Sequence, residues 1–139
     1  MKKVMSLKNI SRILFMQCAL LIATPSISAE ELALPPLSDG SNFIHRDGET
    51  LYRAICQGCH MAKAEGAIGA GQYPALAKNG RLVAAAYPVY NVLHGLKGMP
   101  DFGNTLNDEQ VAAVVNYVRT HFGNSYKDIV SAEDVKKLR

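Results

Sequence analysis

Apolar residues recur at helical spacing in two stretches of the chain, one on each side of its middle. The first stretch follows Asp47, a favourable residue at a helix N-terminus. Its apolar positions are Leu51, Tyr52 and Ile55. The second follows Asn107, which can form a capping-box pair with Gln110, and should end at Gly123. The apolar face of this second helix consists of Val111, Val114, Val115, Val118 and Phe122. These two helices are the clearest elements that the pattern predicts, and no βαβ pattern is visible.

Shorter elements are predicted between and after these helices. Residues 61–80 are rich in glycine and alanine and are expected to form a loop, and residues 81–86 a short helical piece. A further helix should begin at Pro88, which suits a first helical position, and stop at Gly95. Residues 124–139 are charged and are predicted to form either a solvated tail or a short terminal helix.

Residues 1–29 have the organisation of a secretory signal peptide. A basic start is followed by an apolar run over residues 13–23 and then by small residues that end at Ala29. The apolar run is too short to span a membrane as a helix. We therefore expect cleavage after Ala29 or Ser28 and export to a bacterial periplasm. Residues 30–46 are expected to form an extended lead-in, and no membrane span is expected in the mature chain.

Removal of this segment changes the charge of the protein. The whole chain has a formal net charge of +3, but residues 1–29 hold four basic side chains and no acidic ones, which leaves 11 basic and 12 acidic side chains. The mature protein would then carry a net charge of about −1. The basic character of the whole chain therefore does not indicate nucleic-acid binding.

The candidate chemistry is concentrated in one pentapeptide, Cys56-Gln57-Gly58-Cys59-His60. Two cysteines three positions apart, with a histidine directly after the second, have the spacing that attaches a c-type haem. On a helical turn both thiols share a face, so they can form thioethers with the two vinyl groups of one porphyrin. His60 can then bind the iron as its proximal ligand.

Two other chemistries use a Cys-x-x-Cys pair. A thioredoxin-like dithiol is one, although it is expected beside a βαβ pattern. A structural zinc site is the other, but it needs four ligands, and neither a second Cys-x-x-Cys nor a finger spacing to His94 or His121 is present. Covalent haem c, one per chain, is the cofactor that the motif favours.

A distal iron ligand is expected in the glycine-rich loop that follows Gly95. Three of the five methionines lie in the expected signal peptide, and Met61 adjoins His60, which leaves Met99. A thioether ligand raises the reduction potential of a haem. His94 is the alternative ligand and would give a lower potential. A purely structural role for Met99, as a filler of the core, is the other alternative.

The stretch Tyr73-Pro74-Ala75-Leu76 is a candidate support for His60. A backbone carbonyl here would accept the remaining ring N–H of His60 and fix the orientation of the imidazole. An apolar side chain from the same stretch would pack against the porphyrin. An ordinary proline turn is the alternative. The remaining histidines, His45 and His121, are expected to be surface or capping residues.

Over residues 47–123 the sequence resembles class I c-type cytochromes. In that family a glycine and an aromatic residue stand eight and four positions before the first haem cysteine, and Gly48 and Tyr52 occupy those places here. The resemblance implies that these two residues pack against an apolar and an aromatic residue of the terminal helix, where Val114 and Tyr117 fit.

Two loops extend the resemblance. Pro74-Ala75-Leu76 looks like the family's haem-facing Pro-x-Leu, which implies that Pro74 and Leu76 lie around the haem, and Met99 in its Gly-Met-Pro setting looks like the axial methionine. Residues 72–77 and 98–103 are most similar to cytochrome subunits of bacterial membrane-associated sugar and alcohol dehydrogenases. Those subunits typically carry three haem motifs, whereas this chain has one.

The resemblance implies an all-α cytochrome c fold of a few short helices wrapped around one covalently attached haem, with the haem domain at residues 47–123. The expected function is one-electron transfer between a dehydrogenase or other respiratory donor and an oxidase or other cytochrome, without enzymatic activity. A haem subunit docked in a dehydrogenase complex and a ligand-binding haem sensor are the alternatives. Electrons would be exchanged at the haem edge near Cys56 and Cys59. The border of that surface consists of Ala62, Ala67, Ile68 and Ala70.

Overall fold

The structure, a computed structural model, describes Ser38, residues 43–69 and residues 71–139. The expected signal peptide, most of the expected lead-in and Ala70 lie outside the described residues. The α-helices are α1 (Gly48–Leu51), α2 (Gln57–His60), α3 (Ala86–His94), α4 (Asp108–Thr120) and α5 (Ala132–Lys136). The other elements are a π-helical turn (Tyr52–Cys56), a 3-10 helix (Gly80–Val83) and the strands β1 (Ala67–Ile68) and β2 (Gln72–Tyr73). The described domain is mostly helical, and none of its helices is long and apolar enough to cross a membrane.

The helix α1, the π-helical turn and α2 follow one another without a break and carry the cysteine motif. The Asp47 side chain caps the start by accepting a hydrogen bond from the Thr50 N–H at 2.8 Å, as the sequence predicts. In the π-helical turn the Gln57 N–H donates to the Tyr52 carbonyl, one residue further back than in an α-helix. This wider turn ends at Cys56, so the first haem-motif cysteine lies where the helix changes its winding.

The loop predicted over residues 61–80 contains a small antiparallel hairpin. Its strands β1 and β2 pair in the register Ala67 to Tyr73 and Ile68 to Gln72. The hairpin was not predicted, because strands of two residues are too short to show an alternating pattern. It returns the chain to the segment that begins at Pro74.

The helix α3 has the predicted stop and an earlier start. It begins at Ala86, so Pro88 lies within the first turn rather than at the first position. It ends at Gly95, whose φ of +73° is the left-handed conformation that glycine adopts at low cost.

The helix α4 has the predicted capping box. The Asn107 side chain accepts from the Gln110 N–H, and the Gln110 side chain accepts from the Asn107 N–H, both at 2.9 Å. The helix ends at Thr120, slightly earlier than predicted. As a result, His121 is its C-cap, and Phe122, which was expected on the helical face, follows the helix with a φ of +58°.

The first helix crosses α4 at Gly48. A Cβ atom there would overlap the carbonyl oxygen of Ala113 and lie 2.7 Å from Tyr117 Cβ, so the absence of a side chain permits this close approach. One turn later, the ring centroid of Tyr52 lies 5.8 Å from that of Tyr117 and 4.8 Å from that of Phe122. Tyr117 is therefore confirmed as the aromatic partner, and Phe122 is a second one.

A single apolar core links these helices. The helix α1, the π-helical turn after it and α4 contribute the buried residues Leu51, Tyr52, Val111, Ala112, Val114, Val115 and Val118. The other buried apolar residues are Ala64, Leu82, Val89, Leu93, Leu106, Val130 and Val135. Val114, the apolar partner implied for Gly48, lies in this core, although the atoms nearest to Gly48 belong to Ala113 and Tyr117.

Residues 124–139 form the short terminal helix α5 and pack against α4 instead of extending into solvent. The Asn116 side chain on α4 binds both backbone groups of Val130, at 2.8 Å to its carbonyl and 2.9 Å from its N–H. Arg119, whose side chain is 1% exposed, contacts both carboxylate oxygens of Asp128 at 2.7 Å. Of the two alternatives for this segment, the short helix is the one that forms.

Candidate haem-binding site

The continuous first helix carries the two cysteines and the histidine of the motif. Cys56 ends the π-helical turn and is half-buried, while Cys59 lies in α2 and is exposed. The two thiols do not form a disulfide. Burial, together with the neighbouring Cys59, raises the pKa of the Cys56 thiol to about 12. The pair is thus a set of two separate thiols on one short helical segment.

His60 is held in one orientation by a backbone carbonyl. It ends α2, is 8% exposed, and its Nδ1–H donates to the Pro74 carbonyl at 2.9 Å. Because Nδ1 carries the proton, Nε2 is the ring nitrogen with a free lone pair for a metal. The structure therefore contains the carbonyl acceptor that was expected from the Pro74 segment.

Gly66 allows the Pro74 segment to approach His60. Its φ is +69°, and a Cβ atom would overlap the Tyr73 carbonyl oxygen and lie 2.7 Å from the Ala75 nitrogen. The Gly66 N–H also donates to the His60 carbonyl at 3.1 Å. Gly66 thus binds the end of α2 and makes room for the Pro74 segment, which supports His60.

Two asparagine side chains donate hydrogen bonds to backbone carbonyls of the same segment. Asn79 Nδ2 donates to the Ala75 carbonyl at 2.7 Å, and Asn124 Nδ2 donates to the Leu76 carbonyl at 2.9 Å. The asparagines are joined by a 3.0 Å hydrogen bond from the Asn79 N–H to Asn124 Oδ1. Neither residue is predicted from the sequence, because an asparagine in a loop has no pattern that shows which distant carbonyl it binds.

Tyr52 stabilises the backbone directly after the motif. Its hydroxyl donates to the Met61 carbonyl at 2.8 Å, and Met61 has the left-handed φ of +68°. Burial raises the pKa of Tyr52, with smaller contributions from the Cys56 thiol, the Glu65 carboxylate and Tyr117. The aromatic residue that the resemblance singled out therefore has a second role beyond helix packing.

Met99 lies in a tight turn within the segment that we call the Met99 loop, residues 95–102. The Leu96 N–H donates to the Met99 carbonyl at 3.1 Å, and the Met99 N–H donates to the Leu96 carbonyl at 3.0 Å. Lys97, within the turn, has a φ of +55°. Met99 is half-buried. These two hydrogen bonds therefore fix the backbone position of Met99.

Gly95 permits a close backbone approach in the Met99 loop, as Gly66 does in the Pro74 segment. A Cβ atom on Gly95 would lie 2.6 Å from the Met99 carbonyl oxygen and 3.0 Å from the Asp101 nitrogen. Beyond Met99, the loop is bound to α3 by a hydrogen bond from the Phe102 N–H to the Val92 carbonyl at 2.9 Å. Both segments that carry candidate site residues thus depend on a glycine with positive φ.

The remaining histidines have other partners. His94 Nε2–H donates to the Leu138 carbonyl at 2.8 Å, and its ring lies 4.4 Å from that of Tyr90. His121 is the C-cap of α4, with its ring stacked 4.2 Å from that of Tyr117. The Nε2 atom of His94 is thus occupied by a carbonyl, which favours Met99 over His94 as a distal ligand.

The residues present fit a haem c. Two unbridged thiols three positions apart and a histidine with its Nδ1 atom hydrogen-bonded are the donor set that covalent haem attachment needs. When bound, haem c supplies an iron that accepts and releases one electron. The protein's part is to hold, orient and tune that iron.

Comparison with known proteins supports this assignment. A family model described as "Cytochrome C oxidase, cbb3-type, subunit III" matches residues 44–118. The chain is 36% identical to the fructose dehydrogenase cytochrome subunit of Gluconobacter japonicus over 109 residues, and 28% identical to the alcohol dehydrogenase (quinone) cytochrome c subunit of Gluconobacter oxydans over 135 residues. These matches include 67% and 77% of this chain but only 22% and 28% of the relatives.

A smaller relative is matched over most of its length. The chain is 33% identical to cytochrome c-552 of Thermus thermophilus over 124 residues, which include 74% of this chain and 81% of the relative. The chain therefore belongs to the family of c-type cytochrome domains. The cofactor of that family is covalently bound haem c, and Cys56 and Cys59 have the spacing that attaches it.

Proposed function

We propose that this chain is a monohaem electron carrier whose haem domain spans residues 47–123. Cys56 and Cys59 hold the haem through thioether bonds, His60 is the proximal iron ligand and Met99 is the distal one. The observation that carries the proposal is the 2.9 Å hydrogen bond from His60 Nδ1–H to the Pro74 carbonyl. It leaves Nε2 as the ligating atom of a histidine that directly follows two thiols.

The supporting residues suit a site that exchanges electrons without binding substrate. Pro74 fixes the His60 ring through its carbonyl, and Leu76 would provide an apolar side chain against the porphyrin. Met99 as a ligand in both oxidation states would favour the reduced ion and exclude other ligands from the iron. Small changes of geometry between the two states favour rapid electron transfer.

Partners and location are proposed from the names of the relatives and from the signal-peptide pattern. Several relatives are named as cytochrome subunits of dehydrogenases, so the proposed electron donor is a dehydrogenase of sugars or alcohols. The acceptor is an oxidase or another cytochrome. Export to the periplasm is proposed from the signal-peptide pattern of residues 1–29. Both a free shuttle and a subunit docked on the dehydrogenase fit this role.

The proposed surface for electron exchange surrounds the exposed edge of the motif helix. Cys59 and Ala62 are exposed, and Ile68 is 89% exposed at the hairpin. The exposed Lys63 and Glu65 between them carry opposite charges. A surface with this apolar character and balanced charge suits brief contacts with redox partners, since small interfaces dissociate readily. Ala70, expected on the same border, lies outside the described residues.

A charge placed on this surface should slow electron exchange. We expect Ile68→Glu to lower the second-order rate constant for reduction by a dehydrogenase partner several-fold, because a carboxylate would have to be desolvated in the contact. Val83→Glu, at another exposed apolar position, is the control. The rate is measured by stopped-flow absorption with fructose dehydrogenase and fructose. An equal rate for Ile68→Glu and the wild type would contradict the proposed surface.

The electron-carrier role itself is tested with carbon monoxide. A reduced protein whose sixth position is closed by Met99 should bind carbon monoxide slowly or not at all. Rapid binding by the native reduced protein would instead support a ligand-binding haem sensor and would contradict the carrier proposal.

A further inference from the structure

Leu138 and Arg139 contact the chain at both ends of the Met99 loop. Just before the loop, the His94 Nε2–H donates to the Leu138 carbonyl at 2.8 Å. Just after it, the Arg139 guanidinium donates to the Gly103 carbonyl. Two adjacent residues far along the chain therefore join the beginning and the end of the segment that carries the proposed distal ligand.

Arg139 also extends this contact to the start of α4. Its Nη2 donates to the Leu106 carbonyl at 3.0 Å, and its Nε donates to Asp108 Oδ1 at 2.8 Å. The planar guanidinium suits several acceptors at once, because its N–H groups lie in a fixed fork. The Arg139 side chain is 35% exposed, so water shields these interactions only in part.

The Met99 loop has few contacts of its own that would resist opening. Within it, Leu96 and Met99 bond to each other, and Lys97 is held in a left-handed conformation that a side chain disfavours. At the far end of the loop, the Phe102 N–H donates to the Val92 carbonyl at 2.9 Å and the Gly103 N–H donates to the Leu93 carbonyl at 3.2 Å, so two backbone hydrogen bonds act there beside the contacts of residues 138 and 139. Contacts that join the two ends of such a loop limit the conformations available to the open state.

Residues 138 and 139 rest on a rigid support. Val135 in the preceding helix α5 is fully buried, and the side chain of Asn116 on α4 binds both backbone groups of Val130. Because α5 is anchored to α4 in this way, Leu138 and Arg139 occupy fixed positions relative to the core. They can therefore transmit the rigidity of α4 to the Met99 loop.

We propose that Leu138 and Arg139, which we call the loop anchor, are positioning residues that hold Met99 on the haem iron. This inference rests on the proposed role of Met99 as distal ligand. Without the anchor the loop opens more often, and the sixth position becomes accessible to added ligands. The ferric state is affected more, because a thioether binds ferric iron less strongly than ferrous iron.

Imidazole binding to the ferric holoprotein measures this opening. Arg139→Gln removes the guanidinium, and His94→Phe removes the Nε2–H donor while leaving a ring beside Tyr90. We expect each variant to bind imidazole roughly tenfold more tightly than the wild type, the effect of losing one or two hydrogen bonds that favour the closed loop. The methionine-to-ferric band should weaken in both, and the midpoint potential should fall.

Lys137→Gln is the matched control. It removes one positive charge from the same segment, but Lys137 Nζ pairs with Asp134 at 3.2 Å and does not contact the loop in the described residues. Its imidazole affinity, band and potential should equal those of the wild type. Equal imidazole affinities for Arg139→Gln and Lys137→Gln would overturn the anchor.

The wild-type spectrum separates failure of the inference from failure of the ligand proposal. A wild-type methionine band together with unchanged imidazole affinity in both Arg139→Gln and His94→Phe overturns the loop anchor alone. A ferric wild type without the methionine band overturns the ligand role of Met99, and the anchor with it.

Discussion

At the residue scale, the environment of the proposed proximal ligand depends on Gly66. Its left-handed backbone and the missing Cβ allow the chain after β2 to lie close enough for the Pro74 carbonyl to accept from His60. A larger residue would have to displace the Tyr73 carbonyl or the Ala75 nitrogen. The orientation of His60 is therefore coupled to a residue that has no polar side chain.

Replacement of this glycine should destabilise the protein. Gly66→Ala adds a Cβ atom to a crowded, left-handed position, so we expect the free energy of unfolding to fall by about 2 kcal/mol or more. Denaturant unfolding of the holoprotein measures the change. Gly69→Ala in the same hairpin is the control, since its Cβ would have no heavy atom within 4 Å. Equal stability of the two variants would contradict this role of Gly66.

Residue types with fixed spacing could be recognised from the sequence, and residues that act through tertiary contacts could not. Cys56, Cys59 and His60 stand at offsets that one covalent chemistry requires. Asn79 and Asn124 serve the same site, but their hydrogen bonds reach 45 residues along the chain to each other, and no local pattern encodes that distance. Their role follows from the fold.

At the scale of elements, local capping signals predicted the helices well. The Asp47 cap and the capping box of Asn107 and Gln110 are formed as expected, because these hydrogen bonds involve residues three apart. The hairpin of β1 and β2 was missed, since its strands are two residues long. The fate of residues 124–139 was left open, because burial of Val130 and Val135 depends on the surface that α4 presents.

The pairing of α4 with residues 124–139 makes stability sensitive to acid. Hydrogen bonds from the buried Arg119 hold the pKa of Asp128 below its ordinary value of 3.8. The unfolded chain therefore takes up this proton at a higher pH than the folded protein does. The ion pair stabilises the folded state above about pH 4, and its contribution is lost as the pH falls through the depressed pKa.

Asp128→Asn tests this pairing. We expect the variant to be less stable than the wild type near neutral pH, and the difference to shrink as the pH falls below about 4. Chemical unfolding at a series of pH values gives the two curves. Asp101→Asn removes an exposed carboxylate that has no ion pair among the described residues, and should be less harmful at neutral pH. Parallel curves for Asp128→Asn and the wild type would rule out the contribution of this pair.

At the scale of the whole molecule, residues 124–139 contact both segments that support the proposed iron ligands. Asn124 at the start of this segment binds the Leu76 carbonyl, and Leu138 and Arg139 at the other end bind the two ends of the Met99 loop. From its charged composition, this segment could have been a solvated tail. In the structure it is instead bound to the Pro74 segment at one end and beside the Met99 loop at the other.

The central claim is a haem bound covalently at Cys56 and Cys59 with His60 and Met99 as ligands. The most direct measurement is the absorption spectrum of the exported holoprotein, oxidised and then reduced with dithionite, before and after acid-acetone extraction. Met99→Ala is compared with Met61→Leu, which alters a methionine next to the motif. Covalent attachment predicts sharp reduced bands that stay with the polypeptide.

The same spectra report the distal ligand. We expect the methionine-to-ferric band in the wild type and in Met61→Leu, and its loss with a lower midpoint potential in Met99→Ala. Haem that is extracted by acid-acetone, or a methionine band that persists in Met99→Ala, would contradict the account.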